Sequence, residues 1–245
     1  MFDTLTHLQL LAGAAILALA YLVRGITGFA SGLIAVPLLT LLLPLSIVVP
    51  LIVLLDYLAS LSQGINNRKD IRWRETVSII PFSLIGVAIA FFFLSQSDTL
   101  YLTKALGVFV ILFALFTLSG YQPKAKSARG WGVLAGVSGG VIGTLFGTGG
   151  PFYATYFKAR GLGKAAFRAT FATIFLMDGA GRLLGYATAG FFTAEFLTLL
   201  LAALPIAGVF LYIGGHVHTK LTESDFDRAI SVLLIVSGSV LLIKF

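Results

Sequence analysis

Four ionisable residues interrupt long apolar runs of the 245-residue sequence: Arg24, Asp56, Asp178 and Arg182. A charge inside a membrane is costly, so each is a functional suspect by default. Asp178 and Arg182 stand four apart, which on a helix puts them one turn apart on one face, within reach of an ion pair. As a purely structural pair they would hold a helix in its bundle. As a site, Arg182 would meet an anionic substrate while Asp178 holds the guanidinium in place or takes a proton. Arginine suits that task because its planar fork of donors matches an oxyanion, a carboxylate or a sulfonate. Arg24 closes the first apolar run just before Gly25-Ile-Thr-Gly28. It either joins the site or snorkels its charge to the interface. Asp56 has no charged neighbour nearby in sequence, and a carboxylate there suits proton coupling or a water-filled cavity.

The backbone offers a second source of positive potential. Val137 to Pro151 reads Val-Ser-Gly-Gly-Val-Ile-Gly-Thr-Leu-Phe-Gly-Thr-Gly-Gly-Pro, with six glycines and a proline between apolar flanks. Gly139, Gly143 and Gly147 recur every four residues, the spacing of close helix–helix packing. Packing alone does not require the terminal Gly147-Thr-Gly-Gly-Pro151, which a membrane helix cannot cross intact. In a bilayer such a break is tolerated where protein or a polar cavity covers the freed backbone groups. The half-helix that follows presents free N–H groups and the positive end of its dipole, which bind an anion without a formal charge. Gly147, Thr148, Gly149, Gly150 and Pro151 in the second half, with Thr27, Gly28, Ser31 and Gly32 in the first, are therefore candidate contacts alongside Arg182 and Arg24. Thr148, Thr27 and Ser31 would add hydroxyl donors.

Other chemistries find less support. Gly-Thr-Gly-Gly is not a phosphate loop, because no Gly-Lys-Ser/Thr follows. His216 and His218, with Glu223 and Asp225 nearby, are too few for a convincing metal site. No Ser-His-Asp set falls at one membrane depth, and with no cysteine there is no thiol chemistry or disulfide framework. The expectation is a protein that is not an enzyme and carries no metal or cofactor. The net charge of +7 comes from short basic loops between spans, the pattern of the positive-inside rule rather than of a nucleic-acid partner. Trp73 and Trp131 flank those loops as interfacial anchors, and the 21 phenylalanines read as lipid-facing bulk.

These residues need a membrane bundle to position them. The chain is 58% hydrophobic and 11% charged, against about 25% charged in soluble domains, which makes it a polytopic membrane protein. Met1 to Gln9 lacks Lys and Arg, so the first run is expected to be a retained span rather than a signal peptide. Apolar segments fall at about 8–23, 29–43, 45–65, 76–94 and 99–119, then at about 131–146, 151–157, 169–189, 192–213 and 226–243. Segments 29–43 and 151–157 are shorter than the ~20 residues of a spanning helix. Each follows a glycine cluster as one arm of a broken or re-entrant hairpin.

The two sets correspond. Gly25, Gly28 and Gly32 align with Gly140, Gly143 and Gly147, Asp56 with Asp178, and Pro81 and Pro205 open the fourth segments, with Lys104 and Arg228 beyond. Basic residues crowd Arg68–Arg74, Lys124–Arg129, Lys158–Arg168 and Lys220, whereas the loops near Ser95–Asp98 and Thr188–Thr193 have none. Placing the basic loops in the cytoplasm leaves both termini outside and makes residues 121–245 an inverted repeat of residues 1–120. That is the plan of secondary transporters, with a midplane site where broken segments meet. The expected fold is thus an all-α polytopic bundle of about eight to ten apolar segments in one membrane domain.

Gly25-Ile-Thr-Gly-Phe-Ala-Ser-Gly-Leu-Ile-Ala-Val-Pro-Leu-Leu39 and Gly143-Thr-Leu-Phe-Gly-Thr-Gly-Gly-Pro-Phe152, together with the repeat and loop pattern, resemble the TauE/SafE family of sulfite and organosulfonate exporters. Asn66-Asn-Arg-Lys-Asp-Ile-Arg-Trp-Arg74 looks like the family's basic loop, with Arg168 and Gly185-Tyr-Ala-Thr-Ala-Gly-Phe191 as counterparts in the second half. The resemblance covers nearly the whole chain. It departs in the first cluster, where Phe29, Ala30 and Ser31 separate the glycines, and in the second, where Pro151 stands in place of a third glycine. It implies a multi-pass inner-membrane secondary transporter of sulfite, an organosulfonate or a related oxyanion or carboxylate. It further implies alternating access without ATP, and export driven by an ion gradient, with H+ as coupling ion and a homo-oligomer as an option. The alternatives are an uncoupled anion channel and an importer of a sulfur-containing anion.

Overall fold

The long apolar runs fold as helices because a bilayer leaves no other way to satisfy a backbone within one segment. The structure, a computed structural model, describes residues 6–66, 68–120, 130–217 and 223–245, and their side chains except those at 63–66 and 223–227. Among the described residues ten α-helices follow in order: α1 (His7–Thr27), α2 (Ser31–Leu39), α3 (Leu45–Asn66), α4 (Trp73–Gln96), α5 (Thr99–Leu118), α6 (Trp131–Phe146), α7 (Gly150–Ala159), α8 (Lys164–Thr188), α9 (Ala194–His216) and α10 (Glu223–Lys244). No strand occurs among the described residues. α1, α3, α4, α5 and α9 are long and apolar enough to cross a membrane.

The two segments expected to be too short are α2, of nine residues, and α7, of ten. They are about 14 and 15 Å long, half of a hydrocarbon core of ~30 Å. Before each, the preceding helix ends on a left-handed glycine: Gly28 (φ 88°) after α1 and Gly147 (φ 64°) after α6. Only glycine adopts that conformation without a Cβ penalty. Their N–H groups bond back to Arg24 O at 2.7 Å and Gly143 O at 3.1 Å. The helix ends therefore pair Gly28 with Gly147, one turn away from the alignment of Gly28 with Gly143 that spacing gives. A glycine stripe repeating every turn looks the same after a one-turn slip, so spacing alone could not fix the register.

Two further expectations change. Pro81 and Pro205 do not open their helices but lie inside α4 and α9. Lys164 and Arg168 are not in a loop: α8 begins at Lys164, while Lys158 belongs to the last turn of α7 and Arg160 caps it. Interfacial helices continue past their apolar stretch, where basic side chains reach water. Lys124, Lys126, Arg129, His218 and Lys220 lie outside the described residues, as do the side chains of Glu223 and Asp225.

The chain forms two compact units, each drawn from both halves of the sequence. The first comprises Met1–Ile52, Ser97–Tyr121 and Phe191–Phe245. Within it α1 packs on α9 and α5 on α10. A Cβ on Gly25 would fall 2.7 Å from the Gly214 backbone of α9, so the backbones touch at a glycine crossing. The second comprises Val53–Gln96 and Gln122–Gly190. Here α6 packs on α4, and a Cβ on Gly140 would lie 3.1 Å from Gly86 Cα. α7 and α8 complete this unit, and Tyr153, Phe157, Phe171 and Phe175 form its aromatic core.

Candidate binding site

In the second unit the glycine break, α8 and the start of α7 converge on Arg182. Arg182 is 1% exposed, and its Nη2 donates to Asp178 Oδ2 one turn earlier on α8. Two more hydroxyls reach the same oxygen: Tyr153 of α7 at 2.6 Å and Ser83 of α4 at 2.8 Å. The two hydroxyls are 2.8 Å apart. Three donors thus crowd Oδ2, while Oδ1, buried as deeply, has no partner among the described residues. Removing one member of such a buried pair would leave the other charge uncompensated.

The glycines around this pair make room for it. A Cβ on Gly143 would fall on the Arg182 guanidinium, and one on Gly139 on the Tyr153 ring. One on Gly149 would strike the Gly139 carbonyl and lie 3.0 Å from Gly143 Cα, so the start of α7 lies directly against α6. The stripe of small residues therefore serves packing and the site together. On the other side Arg182 sits 5.7 Å above the Phe175 ring. The carbonyl freed at the end of α6, that of Thr144, accepts from the Tyr186 hydroxyl, which settles one orphan of the broken helix.

Arg182, Asp56, Gly147, Phe175, Gly179 and Val53 line one pocket, too tight to hold a water molecule. Beside this pocket, Arg182 Nε and the Thr148 hydroxyl are buried donors that have no hydrogen-bond partner among the described residues. Thr148 sits in the break between α6 and α7, 2% exposed. Gly149 precedes α7 without a side-chain cap, and Pro151 occupies its first turn, where a missing N–H costs nothing.

The remaining predicted residues lie in the first unit. Arg24 does not snorkel: it is 1% exposed and its Nη1 donates to Ser31 Oγ at 3.0 Å. Ser31 opens α2, so the cation sits at the positive end of that half-helix. Thr27 is spent on the break itself. Its hydroxyl lies 2.6 Å from Phe29 O and accepts the Phe29 N–H at 3.2 Å. Gly28 ends α1, Gly32 is buried in the first turn of α2, and Ala30 between them takes a left-handed φ of 79°. His216 Nδ1 lies 2.9 Å from Tyr212 O, and no group of three or more metal-binding side chains occurs among the described residues.

Tyr153, Ser83, Tyr186 and Phe175 were not singled out from the sequence. The available signal was physical: a tyrosine hydroxyl inside an apolar segment needs a partner, and Tyr153 and Tyr186 flank the Asp178–Arg182 turn in the chain.

Broken helices, a buried ion pair and, among the described residues, five helices able to span a bilayer define a multi-pass membrane protein. Residues 13–241 match the family model described as "Sulfite exporter TauE/SafE". The chain belongs to that family, and so to the multi-pass inner-membrane transporters. It is also 30% identical over 191 residues, covering 77% of this chain and 80% of the relative, to the "Probable inner membrane transporter protein TsaS" of Comamonas testosteroni. No solved structure matches it.

Proposed function

We propose that the chain is a secondary transporter that exports a small anion, such as sulfite, an organosulfonate or a carboxylate, by alternating access. One observation carries the reading: the buried Arg182 guanidinium keeps an unpartnered Nε in a pocket that Gly147 also lines, and the adjacent Thr148 hydroxyl is unpartnered too. Buried donors are normally satisfied, and an oxyanion would satisfy both while resting against the N-terminus of α7.

Asp178 supplies the coupling. An anion that engages Arg182 competes with Asp178 for the guanidinium. The pocket is closed to water as it stands, so an anion reaches these donors only once the surrounding helices part, which is what alternating access provides and a standing channel does not. The inverted repeat has support in the packing: α1 meets α9 in one unit as α6 meets α4 in the other, each through a glycine crossing.

Flux through proteoliposomes tests the reading. Sulfite, small sulfonates and carboxylates would each be offered with and without a pH gradient. Saturable flux of one anion that follows the gradient is the expected result. Flux that runs downhill and ignores the gradient would make the protein a channel, and export against import follows from the direction of the driving gradient.

A further inference from the structure

A second polar cluster lies at the far end of α7, where the aqueous edge meets the basic loops. Glu75, in the first turn of α4, is 7% exposed and receives three hydrogen bonds. Tyr156 Oη donates to its Oε2 at 2.6 Å, Arg160 Nε to the same oxygen at 3.2 Å, and Arg160 Nη2 to Oε1 at 3.0 Å. The hydrogen bond to Glu75 raises Arg160 above its ordinary pKa against a small opposing effect of burial. Arg160 therefore stays charged across the physiological range.

Tyr153, Tyr156 and Arg160 fall at i, i+3 and i+7, one face of α7. Their partners on α4 are Ser83 and Glu75, two turns apart. α7 is therefore tied to α4 at two points, once beside Asp178 and once about 10–12 Å away. Charged and hydroxyl groups are poor glue in a membrane interior unless they fix something. Here they fix a helix of ten residues whose other end is the glycine break.

We infer that Glu75, Tyr156 and Arg160 are positioning residues: they set the tilt of α7 and so aim its N-terminus, with Thr148, at the pocket of Arg182. For the anion site this rests on the function proposed above, whereas for α7 itself it stands on the geometry alone. A ten-residue helix held at one end pivots. A shift of an ångström at the break is enough to misplace donors that must meet one anion.

The test uses the full-length protein in liposomes with Glu75→Gln, Tyr156→Phe and the double exchange Glu75→Arg with Arg160→Glu. Amide hydrogen exchange over 146–152 reads the position of the break without any cargo. Flux gives KM and limiting rate for whichever anion the unmodified protein moves. Glu75→Gln is expected to speed exchange at the break and to raise KM about tenfold with the limiting rate nearly unchanged. The double exchange should restore both.

Unaltered exchange at the break in a folded variant overturns the inference, and so does faster exchange with an unaltered KM. If Glu75→Gln does not fold, Tyr156→Phe, which removes one hydrogen bond and keeps the ring, answers the same question. Faster exchange at the break in a protein that moves no anion would uphold the positioning of α7 and defeat the proposed cargo instead.

Discussion

At the scale of single residues, Arg182 is defined by what surrounds it. Arg182→Lys keeps the charge but loses the planar fork, so anion affinity should fall about ten- to hundredfold while the protein folds, as a binding isotherm would show. An unchanged affinity would remove Arg182 from the site. Gly143→Ala is a sharper probe. Alanine favours a helix over glycine by about 1 kcal/mol, yet here its methyl would land on the guanidinium. The expected variant is folded and binds anion at least tenfold more weakly; normal binding would mean Arg182 does not need that place. The ion pair was legible from its i, i+4 spacing. The crowding of Tyr153 and Ser83 onto one carboxylate oxygen was not, because Ser83 lies 95 positions before Asp178 and no local pattern links them.

At the scale of elements, the breaks were readable and their register was not. Gly147-Thr-Gly-Gly-Pro151 announces a helix end and a new start, and α6 and α7 meet there. The one-turn slip at Gly28 and Gly147 and the interior positions of Pro81 and Pro205 follow from packing, which sequence periodicity does not carry. Gly149→Leu should abolish transport, because any side chain would meet the Gly139 carbonyl. Undiminished flux in that variant would show that the start of α7 does not lie against α6. Gly86→Val, at the crossing with Gly140, should lower stability by several kcal/mol through overpacking, measured as a drop in the detergent midpoint temperature. A valine variant as stable as the parent would count against the close crossing.

At the scale of the molecule, composition and loop charge gave the membrane class, and the family match agrees. Topology remains a matter for chemistry on the intact cell. The chain contains no cysteine, so Ser97→Cys adds a single thiol between α4 and α5. Impermeant maleimide should label it from outside in intact cells; labelling only after permeabilisation would reverse the orientation. What sequence order could not convey is which elements pack together, since each compact unit takes helices from both halves.

That interleaving has a consequence for synthesis. The helices of the second unit are all made by Gly190, whereas α1 is made long before its partner α9. At ~5–20 residues per second, α1 waits on the order of ten seconds or more. Throughout that interval its glycine crossing, with Arg24 beside it, has no mate. α1 thus enters the bilayer long before that surface is secured, and the newborn chain depends on whatever shelters it until α9 arrives.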